Sequence, residues 1–224
     1  MNEQETVVAL YDRLDNANDA IVELVAAGFP RSDISLVAND ATGDYGRYLG
    51  DEDVKGDEGA SFGAVIGGLT GIVAGLTAIV IPGIGPIIAA GPLAALLGGA
   101  TGAIVGTVTG AVTGGITASL VNLGVPDEEA EGYAESVRRG SILVTVVTKG
   151  DDADDAANIM ERHHPLNVEN RAREWRERGW QGFDPQGAPY DPDSIAKERD
   201  MYGDVAEDED DTVRSYPRIP PPIR

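Results

Sequence analysis

The chain of 224 residues contains no cysteine and has far fewer bases than acids. The absence of cysteine excludes disulfides, thiolate metal sites and a cysteine nucleophile. With 17 Lys and Arg against 38 Asp and Glu, the net charge is -21, and a chain this acidic repels nucleic acid. The first residues, MNEQETVVALYD, lack the basic start and apolar run of a signal peptide. We therefore expect the soluble part on the cytoplasmic side, with no nucleic-acid partner.

Charge is missing altogether from one long stretch, residues 59–126, which contains no Asp, Glu, Lys, Arg or His. That far exceeds the ~18 apolar residues that indicate a bilayer-spanning helix. Glycine recurs there at every fourth position, which places each set on one helix face. Each glycine costs a helix about 0.8–1 kcal/mol relative to alanine, so the spacing predicts close approach of a second backbone, a glycine zipper. The helix-packing glycines are Gly63, Gly67, Gly71, Gly75, Gly98, Gly102, Gly106, Gly110 and Gly114.

Prolines and glycines divide this stretch in its middle, because they do not fit inside one continuous helix. The residues concerned are Pro82, Gly83, Gly85, Pro86, Gly91 and Pro92. They predict the turn of a helical hairpin whose arms are residues 59–80 and 93–123. At 1.5 Å per residue the arms would be ~33 Å and ~46 Å long, against a bilayer core of ~30 Å.

The flanking sequence alternates strand and helix patterns. Deleting the hairpin and the helix after it leaves strand, helix, strand, strand, helix, strand, the order of a ferredoxin-like sandwich. The sequence thus predicts an α+β fold with the glycine-zipper hairpin inserted between the second and third strands. The predicted strands are residues 6–12, 33–40, 141–150 and 166–170. Asn16 is the predicted N-cap of the first helix, and Pro126 is placed in the first turn of the helix after the hairpin.

Four regions follow from this pattern. Residues 1–58 form the first half of the α+β domain plus an acidic linker, and residues 59–125 form the hairpin. Residues 126–180 form the second half of the domain, where Trp175 is the expected anchor of a short helix. Residues 181–224 are rich in Pro, Asp and Gly, and we expect them to be mostly disordered.

Few residues could carry chemistry. Adjacent His163 and His164 follow Glu161 and could ligate a metal, but a solvated helix end is the simpler interpretation. The GAVIGG sequence at residues 63–68 lacks the lysine of a phosphate-binding loop. The zinc-binding HExxH motif does not occur. We therefore predict a non-enzyme with no catalytic residue, no cofactor, no metal and no small-molecule substrate.

A family resemblance rests on several of these segments in order. They are IPGIGPIIAAGPLAALLGG, then GVPDEEAEGYAESVRRGSILVTV, then a helix ending in ERHHP, and then VENRAREWRERGW. The chain resembles, over roughly residues 5–180, the bacterial general-stress and low-temperature-induced protein family. In that family a glycine-rich hydrophobic segment interrupts a small α+β domain. The resemblance implies a role in stress tolerance and no established reaction.

Three functional hypotheses remain. The first is a membrane-associated stress protein that inserts the hairpin and forms homo-oligomers through its zippers. The second is a self-assembling protein that forms a cytoplasmic particle, with or without lipid, and the third and weakest is a channel. Acidic flanks, DEDVKGDE and PDEEAE, disfavour an anionic membrane surface and strengthen the second hypothesis.

The four-residue glycine spacing generates a first prediction. We expect Gly67→Leu or Gly106→Leu to disrupt close packing, because leucine needs room that a glycine-lined seam does not leave. Cross-linking and thermal unfolding measure the effect, with Leu76→Ile as the tolerated control. Unchanged behaviour of both glycine variants would contradict the zipper.

Overall fold

The computed structural model describes residues 4–43, 77–98, 115–202 and 212–218. This part of the chain is α+β, with one six-stranded antiparallel sheet and seven α-helices. The strands are β1 Gln4–Tyr11, β2 Ile34–Asn39, β3 Thr77–Ile81, β4 Gly85–Ala90, β5 Ile142–Lys149 and β6 Arg214–Pro217. The helices are α1 Leu14–Ala26, α2 Gly91–Gly98, α3 Gly115–Asn122, α4 Asp127–Arg138, α5 Gly150–Glu161, α6 Val168–Glu177 and α7 Pro192–Tyr202.

The strands lie in the order β3-β4-β2-β5-β1-β6, so the best-paired strands occupy the centre. In β5 the side chains of Ile142, Val144 and Val146 enter one hydrophobic core, and those of Leu143 and Val147 enter another. Successive side chains of a strand point to opposite faces. The sheet is therefore apolar on both faces and needs a cover on each.

Helices α1 and α5 cover the first face. Ala17, Ile21 and Leu24 of α1 are fully buried, as their helical spacing predicts. Ala156 and Met160 supply the buried side of α5. The Tyr11 hydroxyl donates a hydrogen bond of 3.0 Å to the Met160 carbonyl and ties this helix to β1.

The second face is covered by α2, α3 and α4. Leu93 and Leu97 of α2 are buried in the same core as Ile116 and Leu120 of α3. Tyr133 of α4 completes this layer. Because α2, α3, β3 and β4 all come from the uncharged stretch, part of that stretch is ordinary core of the domain.

The predicted helical hairpin differs from the structure where its residues are described, while residues 59–76 and 99–114 of its arms lie outside the described residues. Residues 77–80, assigned to the end of the first helix, lie in strand β3, whose TAIVI sequence is rich in β-branched residues. Pro82 and Gly83 form the turn of a β-hairpin rather than of a helical one. Gly91 and Pro92 begin α2. The segment that was predicted to join two helices therefore lies between strand β3 and helix α2.

The second arm is not one helix. The Leu93 amide donates to Ser35 Oγ at 3.0 Å, and Thr6 Oγ1 donates to the Leu123 carbonyl at 2.8 Å. Ser35 and Thr6 are held two strands apart through their pairing with β5. Since strands are spaced by about 4.8 Å, the two ends of the predicted arm cannot stand ~46 Å apart.

Two local predictions also fail. Helix α1 begins at Leu14 after Arg13, which makes no side-chain cap, so Asn16 is not its N-cap. The predicted strand at residues 166–170 is reduced to a single bridge between Leu166 and Leu10. There the Asn167 side chain accepts a 3.0 Å hydrogen bond from the Asn170 amide and starts α6 instead.

The tail, residues 181–224, supplies the outer neighbour of β1. β6 pairs with β1 in antiparallel register, Thr6 opposite Tyr216, and the Arg218 amide donates to the Gln4 carbonyl at 2.7 Å. α7 also belongs to the tail. The expectation of disorder is therefore wrong for Pro192–Tyr202 and Arg214–Pro217.

The start of α2 generates a second prediction. Gly91 has φ +77°, and a Cβ there would lie 2.0 Å from the Ile34 carbonyl oxygen. We expect Gly91→Ala to lower the free energy of unfolding by more than ~3 kcal/mol, because both the backbone angle and the backbone contact oppose a side chain.

Gly28→Ala is the matched control, since Gly28 has φ +102° but a Cβ there would meet nothing within 4 Å. It should cost only about 1 kcal/mol, the strain of the backbone angle alone. Urea denaturation of both variants separates the two contributions. Equal losses would show that the contact with Ile34 carries no cost.

Candidate interaction surface

Among the described residues, the sheet ends on one side at β3, which comes from the uncharged stretch. Thr77, Ala78 and Val80 are exposed, Val80 at 63%, while Ile81 is buried. The side chain of Ile79 packs against the second core and is half-buried. This edge therefore presents apolar side chains to its surroundings.

The backbone of β3 is oriented by Pro86 on the neighbouring strand. Pro86 lies opposite Val80 and has no N–H, and its carbonyl accepts a 2.8 Å hydrogen bond from the Asp40 amide. Pro86 thus bonds toward β2, so the Val80–Pro86 pair is not hydrogen-bonded. Because alternate residues of a strand bond to opposite sides, Ala78 and Val80 direct their N–H and C=O groups away from β4.

The opposite edge, β6, is built differently. Its sequence RSYP carries a charged residue and a proline, both of which discourage pairing with another strand. Arg214 is held by Glu169 at 3.0 Å and by Glu129 at 3.7 Å. β3 carries neither charge nor proline, so the two edges differ in how they are protected.

The glycines of the β3–β4 turn contact the tail. Gly83 has φ +80°, and a Cβ there would lie 2.8 Å from the Asp184 carbonyl oxygen. A Cβ on Gly85 would lie 3.1 Å from the Pro189 side chain. These two predicted turn residues are therefore needed for close approach of the chain after Trp180, a partner that the sequence did not indicate.

A buried ion cluster at the end of α4 holds helix α7 of the tail. The fully buried Glu135 carboxylate accepts from Arg139 Nε at 2.7 Å and from Arg138 at 3.2 Å. Arg139 also donates to Glu198 of α7 at 2.8 Å, and its guanidinium lies 4.5 Å from the Trp175 ring centroid. Removing one partner of such a pair is costly because it leaves a buried charge uncompensated.

Aromatic hydroxyls hold β6 against α4. The hydroxyls of Tyr133 and Tyr216 lie 3.0 Å apart, and Tyr216 donates to the Glu129 carboxylate. Burial raises the pKa of both tyrosines well above the ordinary value. They remain protonated at neutral pH and serve as hydrogen-bond donors, not as bases.

The residues considered for a metal are divided among structural partners. His163 Nε2 lies 2.7 Å from a Glu23 oxygen, and Arg162 bonds to the same carboxylate. The hydrogen bond from Arg162 is the main reason that the pKa of Glu23 is lowered. Glu161 instead accepts from Thr212 and from the Val213 amide. Among the residues described, no group of three or more His, Asp or Glu is placed to hold a metal.

A cavity of about 820 Å³ lies between the end of α1 and one side of α5. Asp152, Asp155 and Asn158 line it together with Phe29 and Thr148. The described lining contains no serine, cysteine or histidine. Its described polar lining is therefore mainly carboxylate and amide.

The predicted zipper is represented by only one of its nine glycines. Gly98 is the last residue of α2. The others lie outside the described residues: Gly63, Gly67, Gly71, Gly75, Gly102, Gly106, Gly110 and Gly114. The β3 edge and the ion cluster at the end of α4 are the features that the sequence analysis missed.

Comparison with known proteins gave no match: no family model, curated protein or solved structure is similar to this chain. Across the four described ranges, the helices are too short or too polar for any of them to cross a membrane.

The tail contacts generate a third prediction. We expect truncation after Trp180 to lower the free energy of unfolding by at least ~3 kcal/mol, because it uncovers the core around buried Ile195 and Tyr216. Truncation after Arg218 keeps β6 and α7 and is the control. Chemical denaturation compares the two, and equal stability would show that the tail contributes nothing to the fold.

Proposed function

We propose that the chain is a non-enzymatic, stress-related protein that self-associates through its charge-free glycine-rich stretch. Its acidic α+β domain would then form the outside of an assembly of identical copies. The observation that supports this best is that both ends of residues 99–114 are rooted on one face of the sheet, in α2 and α3. The stress-related role rests on the resemblance of the sequence segments alone.

Chain length argues for assembly over a membrane-spanning hairpin. Residues 99–114 must leave α2 and return to α3 on the same domain. These sixteen residues amount to ~24 Å of helix, against the ~60 Å needed to cross a bilayer core twice. The remaining charge-free part before β3, residues 59–76, likewise ends on this sheet.

Surface charge supports the same arrangement. Exposed acids occupy the first turns of two helices, Asp127 and Glu128 of α4 and Asp151 and Asp152 of α5. With a net charge of -21, these surfaces repel one another and repel anionic lipid. Copies can therefore approach most closely where charge is absent, with the acidic surfaces outward.

We propose a ferredoxin-like sandwich as the underlying part of the fold. The order β2-β5-β1-β6, with α1 and α5 on one face, supports this topology. In this proposal the glycine-zipper segment is an insertion, and its flanks, α2 and α3, close the face that such a sandwich leaves open.

Membrane association is the second candidate. Residues 59–76 carry no charge and include four glycines at four-residue spacing. A stretch of this composition would interact favourably with lipid. In this alternative the domain stays on the cytoplasmic side and the chain anchors to the membrane as an oligomer.

The fourth prediction separates the two candidates. We expect the full chain in detergent-free buffer to form a large, acidic-surfaced particle that does not float with vesicles of phosphatidylcholine and phosphatidylglycerol. Light scattering gives the mass, and density-gradient flotation tests lipid binding. Flotation of a small species would favour the membrane candidate, and a monodisperse monomer in plain buffer would overturn self-association.

A further inference from the structure

We infer that β3 is an interface strand: two copies of the chain pair edge to edge through residues 77–81 and join their sheets into one. This inference rests on the proposed self-association and names the surface that begins it. The occupant is a second copy because the strand is complementary to itself. Antiparallel pairing centred on Ile79 places Ala78 of each copy opposite Val80 of the other.

Backbone geometry permits this register. Ala78 and Val80 are the residues whose N–H and C=O groups point away from β4, as the Val80–Pro86 pair requires. In an antiparallel ladder, opposite residues of this kind exchange both hydrogen bonds. Each Ala78–Val80 pair therefore satisfies the outward groups of both strands, and Ile79 meets its own copy across the two-fold axis as a non-hydrogen-bonded pair.

Side chains and charge favour the same pairing. Val80 is 63% exposed and would lie beside Ala78 of the second copy, on the face opposite to Ile79. The strand is uncharged in a chain of net charge -21, so it is a place where two copies meet without direct repulsion. β6 ends the sheet with Arg214 and Pro217 and would keep the joined sheet from growing further.

The position of β3 along the chain links this pairing to the glycine repeat. Residues 44–76 lie outside the described structure. They directly precede Thr77, the first residue of β3. Pairing centred on Ile79 holds the two Thr77 residues about four strand residues apart, roughly 13 Å. The two charge-free stretches would thus join the paired strands at opposite ends.

The test uses the cysteine-free chain with a single Ile79→Cys substitution. At a non-hydrogen-bonded pair the two Cα atoms lie about 4.5 Å apart, within the range for a disulfide. Mild oxidation of the full chain should give a covalent dimer in high yield. The matched control is Val22→Cys, because Val22 is an exposed apolar residue on α1, 43% accessible.

A second variant measures the affinity. Val80→Lys places a charge on the exposed side of the edge and should raise the dimer dissociation constant more than about tenfold in sedimentation velocity. Val22→Lys should leave it unchanged. Circular dichroism and thermal unfolding establish that both lysine variants remain folded.

The outcomes distinguish this inference from the proposed function. Assemblies that persist in Val80→Lys, without a cross-link at position 79, would overturn edge pairing and leave self-association standing. A cross-link at position 79, together with assemblies whose mass is unchanged by Gly67→Leu and Gly106→Leu, would support edge pairing and overturn the zipper. A monomeric wild-type chain would overturn both.

Discussion

An antiparallel sheet with two apolar faces is the constraint on which the rest of this structure depends. Each face must be removed from water, because a buried large aliphatic side chain contributes roughly 1.5–3 kcal/mol only when it is covered. The first face obtains α1 and α5 from the α+β pattern that flanks the uncharged stretch. The second face is covered by α4 and by two short helices of the uncharged stretch itself, α2 and α3.

The use of the uncharged stretch as part of the core explains why the sequence predicted only some elements correctly. Strands β1, β2 and β5 and helices α1, α4 and α5 could be predicted, since their apolar spacing, acidic starts and terminal glycines all agree. Residues 77–98 could not be assigned correctly from hydropathy alone, because Ile79, Val80 and Leu93 are equally suited to a buried strand and a membrane helix. The β-branched TAIVI run before Pro82 was the signal that favoured a strand.

The tail was missed for a different physical reason. Its composition has too few apolar residues to form a core of its own, and yet Phe183, Ile195 and Tyr216 each fill a place on a core formed elsewhere. Such segments are stabilised by long-range contacts, as Arg139 illustrates through Glu198 and Trp175. Local sequence patterns do not encode these contacts, so neither the ion cluster at the end of α4 nor the β3 edge could be located before the fold was known.

The pairing of β6 with β1 also bears on how the chain reaches its native state. The Gln4 carbonyl accepts its hydrogen bond from the Arg218 amide, 214 residues further along the chain, so β1 receives its outer neighbour from residues made much later. At about 5–20 residues per second, synthesis keeps that side of β1 open for some ten seconds or more. Contacts of such long sequence separation form slowly. The β6–β1 pairing therefore forms late, and until it does the side of β1 away from β5 stays open.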